Sequence, residues 1–187
     1  MRYALIVDDE VLIRRKVSEI LQLYGFEHFL EAENGQQAVE LAGQHQPLLV
    51  VMDVTMPVMD GLTAAEKISS SAPAPLVLLT GNADRQTIET ACRSGVLSYV
   101  VKPFSAEQLC AAVDLAVHQF MALSDLRERV RKLEDTLETR KQVEKAKGLL
   151  MLQGLSEAEA YRKLQKLAMS KRKTLREIAE AVLLMAD

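Results

Sequence analysis

Apolar residues in the first two thirds of the chain fall in short, nearly continuous runs: residues 3–7 (YALIV), 48–54 (LLVVMDV), 76–80 (LVLLT) and 97–101 (LSYVV), with a weaker one at 28–32 (HFLEA). Runs of this length, bounded by turn residues, predict strands buried on both faces. Between them the apolar positions recur at helical spacing over residues 10–23, 35–44, 61–70 and 84–94, and a further helix starts at Ser105. Five strands alternating with five helices predict a doubly wound, five-stranded parallel sheet with helices on both faces. Ligands of such sheets lie beyond the carboxyl ends of the strands.

The pattern changes after residue 103. From Pro103 to Gly148 there is neither proline nor glycine, and Leu123, Leu126, Val130, Leu133 and Leu137 follow one another at intervals of 3, 4, 3 and 4 residues. That spacing predicts a helical connector carrying a short coiled-coil seam, which pairs with another copy as a homodimer through helices 105–140 or folds back on the chain's own front domain. Asp125 with Glu128 offers a fresh cap at which the helix would restart. Beyond Gly154, Ser156 with Glu159 and Thr174 with Glu177 read as capping boxes. They open two amphipathic helices. The first is expected to bury Ala160, Tyr161, Leu164, Leu167 and Ala168, and the second Leu175, Ile178, Ala179, Val182, Leu183 and Ala186. Two such helices cannot close a core alone, so the preceding helix is expected to supply Val143, Ala146, Leu149 and Leu150. The resulting divisions are residues 1–121, a linker at 122–140, and a three-helix unit at 141–187.

Charge divides the chain at the same place. Residues 1–122 hold 8 Lys+Arg and 15 Asp+Glu, whereas residues 140–176 hold 11 and 3. An acidic front half suits a metal ion and a basic rear segment suits phosphate. The two cysteines, Cys92 and Cys110, form no CxxC pair, which argues against a zinc site or disulfide framework. No run of about 18 apolar residues is evident and the N-terminus meets acid early, so no membrane is expected and a cytoplasmic location is.

Polar residues mark the strand ends: Asp8 and Asp9 after the first, Asp53 at the third, Thr80 at the fourth, and Lys102-Pro103 after the fifth. Converging carboxylates repel one another unless a hard divalent ion such as Mg²⁺ neutralises them. A lysine and a threonine beside them could hold an incoming phosphoryl group. The segments IVDDE, MDVTMPVMDG, LLTG and SYVVKPF, in this order, resemble the signature segments of response-regulator receiver domains. The resemblance implies a flavodoxin-like fold and phosphorylation of Asp53 by a histidine kinase. It implies Mg²⁺ held by Asp9, Asp53 and the Thr55 backbone carbonyl, with Asp8 acting through water. Thr80 and Tyr99 would be the pair that rearranges, and Lys102 would contact the phosphoryl oxygen before a cis bond to Pro103. Gly81 stands where the family often has alanine. A phosphatase of the haloacid-dehalogenase type would want an acid at position 55, where threonine stands.

Gly148 interrupts an otherwise helical stretch, EKAKGLLMLQG, at a cost of about 1 kcal/mol relative to alanine. At about 100° per residue it points away from the Val143–Ala146 face, in line with Lys141 and Lys145. A small residue among lysines on an outward face makes room for close approach by nucleic acid. The segment from Arg140 onward resembles the ANTAR domain, over residues 124–186, with matches that include Ala146, Gly148, Leu150, Gly154, Ala160, Leu164 and Ala179. That resemblance implies binding of RNA stem-loops in nascent transcripts and prevention of termination. Lys141, Lys145, Lys147, Gly148, Lys171, Arg172 and Lys173 are the expected RNA contacts, the last three lying just before a helix N-terminus. Phosphorylation-dependent DNA binding and a protein-binding adaptor are the alternatives. The segment 175–186 offers a DNA groove little, with Arg176 as its one cation.

Overall fold

A computed structural model describes residues 3–81 and 96–185. The helix expected at 84–94, Cys92 and Ala186 lie outside them. The chain divides into two compact units, residues 1–124 and 125–187.

In the first unit, strands β1 (Tyr3–Val7), β2 (His28–Ala32), β3 (Leu49–Asp53), β4 (Leu76–Thr80) and β5 (Ser98–Val101) form one parallel sheet in the order β2-β1-β3-β4-β5. The reversal of direction beside β1 opens the crevice between β1 and β3. Every residue of β3 and β4 is buried. This is why those two strands read as continuous apolar runs. Alternate residues serve opposite faces: Leu5, Val50, Met52 and Leu78 join helices α2 (Gly35–His45) and α3 (Gly61–Ser71) on one side. On the other, Ile6, Val51 and Leu79 meet helix α1 (Val11–Leu23) and the start of helix α4 (Ala106–Leu152).

Helix α4 has 47 residues and runs through Asp125 without a break. The expected restart is absent because nothing there interrupts the backbone ladder: Asp125 instead pairs along the helix with Arg129 at 2.7 Å. The capping interactions expected of Ser105 and Gln108 form at its start. Leu123, Leu126, Val130, Leu133 and Leu137 are all at least 41% exposed, so the predicted seam is unpartnered in the single chain. One 18-residue window of α4 reaches a mean hydropathy of 1.3, long and apolar enough to cross a membrane, contrary to the sequence expectation. In the first unit, however, α4 buries Leu109, Ala112, Val113 and Ala116 in the core around the sheet.

In the second unit, the end of α4 packs with helix α5 (Glu157–Lys171) and helix α6 (Leu175–Leu184) around Val143, Ala146, Leu150, Ala160, Leu164, Ile178 and Ala179. Both predicted capping boxes are complete. Tyr161 departs from expectation: it is 40% exposed, and Ala160 and Leu164 fill the face it was expected to share.

Candidate functional site

Backbone topology brings the acidic residues together. Asp8 follows β1, Asp53 ends the neighbouring β3, and Asp9 opens the loop into α1; their carboxylates lie within 4.8 Å of one another. Asp8 is fully buried and Asp53 nearly so, whereas Asp9 is exposed. Lys102, after the edge strand β5 on the far side of β4, reaches between them, with Nζ 2.6 Å from Asp8 Oδ2 and 3.1 Å from Asp53 Oδ1. Its backbone N–H donates to the Thr80 carbonyl at 2.8 Å, which fixes where the side chain begins, and its bond to Pro103 is cis.

Three carboxylates against one ammonium leave a formal charge of −2 at the pocket. That donor set, all oxygen and partly open to solvent through Asp9, fits a hard divalent cation. Burial pushes the Asp53 carboxyl above its ordinary range, aided by the Asp8 charge, while Lys102 pulls the other way without cancelling it. For Lys102, burial favours the neutral amine, but the hydrogen bonds to Asp8 and Asp53 outweigh it and hold the ammonium charged.

The loop after β3 is held by a close backbone approach. Gly61 N–H donates to the Val54 carbonyl at 2.9 Å, and a Cβ at position 61 would lie 2.0 Å from the Asp53 carbonyl oxygen. Asp60 caps α3 by accepting from the Thr63 N–H at 2.8 Å. Thr55, two residues beyond Asp53, is exposed in this loop. Thr80 is buried at the end of β4 and in register with Val101, whereas Tyr99 is 43% exposed and paired with Leu78.

Sequence reasoning missed Arg14. It is 6% exposed, donates to the Asp8 carbonyl oxygen at 2.8 Å, and pairs with Glu31 at 2.8 Å and Glu33 at 3.4 Å. It thus ties the end of β1 to the end of β2. The available signal was its place on the α1 face that also carries Val17 and Leu21, where a charge is out of pattern. Gly61 was likewise missed; only the fold shows what its hydrogen atom faces.

In the second unit, Gly148 is exposed and a Cβ added to it would meet nothing within 4 Å. Lys141 and Lys145 are exposed as well, Lys141 with a loose 3.9 Å contact to Glu138. Lys147 is different. It is only 8% exposed, and its ammonium lies 2.8 Å from Glu144 and 2.7 Å from Glu157. Its charge is consumed in joining α4 to the start of α5, which corrects its expected place on the open basic face. The cluster at 171–173 lies just before helix α6, as expected. The N-terminus of α6 is already capped, because the Glu177 carboxylate accepts from the Thr174 N–H at 2.8 Å. Lys171 ends α5, Arg172 takes a left-handed φ of 52° as its C-cap, and Lys173 lies 3.8 Å from Glu177.

Hydrogen bonding holds several of these glutamates below the ordinary 4.5: Glu157 through Lys147, Glu159 through Ser156, and Glu177 through Thr174. Groups lowered in this way contribute stability that is present above 4.5 and is lost as pH falls through their lowered values. NMR titration of the carboxyl carbons is expected to place all three midpoints below 4.5. Midpoints at or above 4.5 would mean that the caps and the Lys147 pair do not persist in solution.

Comparison with known proteins agrees with this division. Residues 4–114 match the response regulator receiver domain and residues 131–183 match the ANTAR domain. The transcriptional regulatory protein PdtaR of Mycobacterium tuberculosis is 46% identical over 183 residues, covering 97% of this chain and 89% of the relative. This chain is an ANTAR response regulator. The chemotaxis protein CheY of Bacillus subtilis is 40% identical over 111 residues, covering 59% of this regulator and 92% of CheY. Among solved structures, the receiver domain of an HD domain-containing protein from Pseudomonas fluorescens matches with a TM-score of 0.59 and 26% identity, covering 65% of this chain and 98% of that one. The likeness in structure therefore rests on the first unit.

Proposed function

We propose that this regulator accepts a phosphoryl group on Asp53 from a histidine kinase and, in response, binds stem-loops in nascent RNA through its second unit, so that transcription passes terminators. The observation that carries the proposal is the pocket itself: Asp8, Asp9, Asp53 and Lys102 brought together at one edge of the sheet, in a chain whose rear segment is an ANTAR domain. In the transfer, an Asp53 carboxylate oxygen forms a P–O bond as the P–N bond of the donor phosphohistidine breaks. Mg²⁺, when bound, supplies neutralisation of the charge on the transferring oxygens. Asp9, Asp53 and the Thr55 carbonyl would hold it, with Asp8 acting through water. Lys102 is placed to exchange its contact with Asp53 for one with the phosphoryl group. Thr80 and Tyr99 then shift the unit between two states. The role is that of a phosphoryl acceptor in the cytoplasm rather than a turnover enzyme.

The exposed leucine seam of α4 supplies a means of coupling, by pairing with a second copy of the chain. On the second unit, Lys145, Lys141 and the open backbone at Gly148 form the face that RNA would approach, with Lys171, Arg172 and Lys173 at the far end of α5. Duplex DNA suits the unit less well, since Arg176 of α6 is tied to Asp135 at 2.5 Å and to Glu180 at 2.9 Å.

Competition binding with tandem RNA hairpins, duplex DNA and tRNA, with and without acetyl phosphate, tests the proposal. Preference for the hairpins, enhanced by phosphorylation, is expected; hairpins bound no better than tRNA would refute it. Gly148→Leu should weaken hairpin binding about tenfold while leaving thermal stability unchanged or raised, because nothing occupies the space its side chain enters. Unchanged affinity, measured by fluorescence anisotropy, would remove Gly148 from the contact face.

A further inference from the structure

The distribution of ion pairs in the second unit singles out one helix. Helix α5 carries two acids, Glu157 and Glu159, and both are used internally: Glu157 pairs with Lys147 at 2.7 Å, and Glu159 accepts from the Ser156 N–H at 3.0 Å and from its hydroxyl at 2.6 Å. The cations of the same helix are Arg162, Lys163, Lys166 and Lys171. All four are exposed, and among the described residues none has an acidic partner. Elsewhere in the unit the cations are mixed: Arg129, Lys132, Lys147 and Arg176 lie within 3 Å of a carboxylate oxygen, whereas Arg127, Arg131, Arg140 and Lys145 of α4 have no such pair among the described residues.

Arg162, Lys163 and Lys166 share one side of α5 and, with Leu167, Ser170 and the Glu159 already engaged by Ser156, line a shallow concavity of about 530 Å³. Residues three or four apart on a helix stand about 5–6 Å from one another at Cβ, so their long side chains can serve neighbouring phosphates of one strand. Unpaired cations attract polyanions at full charge; paired ones must first give up a carboxylate.

We infer that the outward strip of α5, with Arg162, Lys163 and Lys166 at its centre, is a phosphate-binding track for the RNA backbone. This rests on the RNA-binding reading above and deepens it, because the track was not part of the α4 face from which that reading started. It supplies affinity and orientation through backbone phosphates, while sequence preference arises elsewhere.

The test uses the full chain, treated with acetyl phosphate, and a pool of tandem RNA hairpins with a constant stem and randomised loops, with affinity measured across a salt series. Each phosphate contact steepens the dependence of log K on log salt by about 0.7–0.9. Arg162→Gln with Lys166→Gln is therefore expected to flatten the slope by about 1.5 and to weaken binding at least tenfold at physiological salt. The charge-matched control, Arg129→Gln with Lys132→Gln, should leave the slope unchanged, and the exchange Arg162→Lys with Lys166→Arg should keep it. If the parent chain binds the pool no better than duplex DNA, the RNA reading itself fails. If it binds the pool and the α5 double variant retains both slope and affinity, or the control loses as much, the track is overturned.

Discussion

Asp53→Asn is expected to reduce labelling by phosphohistidine kinase or acetyl phosphate to background while the fold is retained. The carboxylate is the acceptor in the proposed transfer, and an amide nitrogen or oxygen in its place cannot supply the anionic nucleophile. Retention of the fold follows from the pocket's own electrostatics. Burial raises the Asp53 carboxyl above 3.8, so the folded state binds that proton more tightly than the unfolded chain does. Without a bound cation, stability accordingly falls as pH rises from 3.8 through the raised value, and a neutral amide avoids that loss. The Lys102 ammonium, 2.6 Å from Asp8, is expected to keep that partner in the variant. Phosphate incorporation by radiolabel or intact-mass spectrometry, beside a thermal melt in metal-free buffer, checks both halves. Persistent labelling would move the acceptor to another residue, and a large drop in melting temperature would mean that Asp53 is a structural group.

The second large effect is expected at Gly61. Its substitution by alanine puts a methyl group 2.0 Å from the Asp53 carbonyl oxygen and 2.9 Å from the Asp53 carbonyl carbon, both backbone atoms that cannot swing aside. Relief requires the β3–α3 loop to move, and with it the 2.9 Å hydrogen bond from Gly61 to Val54. Forced overpacking of this kind costs about 3 kcal/mol, which for a unit of this size lowers the melting temperature by on the order of 10 °C. Because the displaced backbone carries Asp53, Mg²⁺ affinity by calorimetry should fall as well. Gly148→Ala is the contrasting case: nothing lies within 4 Å, so the helix should gain up to about 1 kcal/mol. A Gly61→Ala chain with normal melting and normal Mg²⁺ uptake would be incompatible with the close approach.

The acidic pocket was readable in the sequence because a parallel sheet delivers every strand end to the same edge. Once β1, β3 and β5 are recognised by their apolar runs, Asp8, Asp53 and Lys102 must converge. The capping boxes at Ser156 and Thr174 were equally readable, since a cap is a contact between residues three apart. Arg14 was harder. It sits in a helix whose apolar period is clear, but its partners Glu31 and Glu33 come from the next strand and the loop beyond, and only sheet pairing brings them within reach. Lys147 failed in the opposite sense. From spacing it belonged beside Gly148 in a basic stretch, yet the turn after α4 returns Glu157 to its ammonium and buries it.

By itself, the sequence determined the order of elements, the change from acidic to basic along the chain, and the residue types at each strand end, because these depend on local periodicity and on covalent neighbours. The tertiary structure decided which charges remain free, which glycine hydrogen faces a backbone oxygen, and that Tyr161 lies on the surface. Those outcomes depend on distances between segments far apart in the chain, where a shift of one helical turn exchanges a buried ion pair for an open cation.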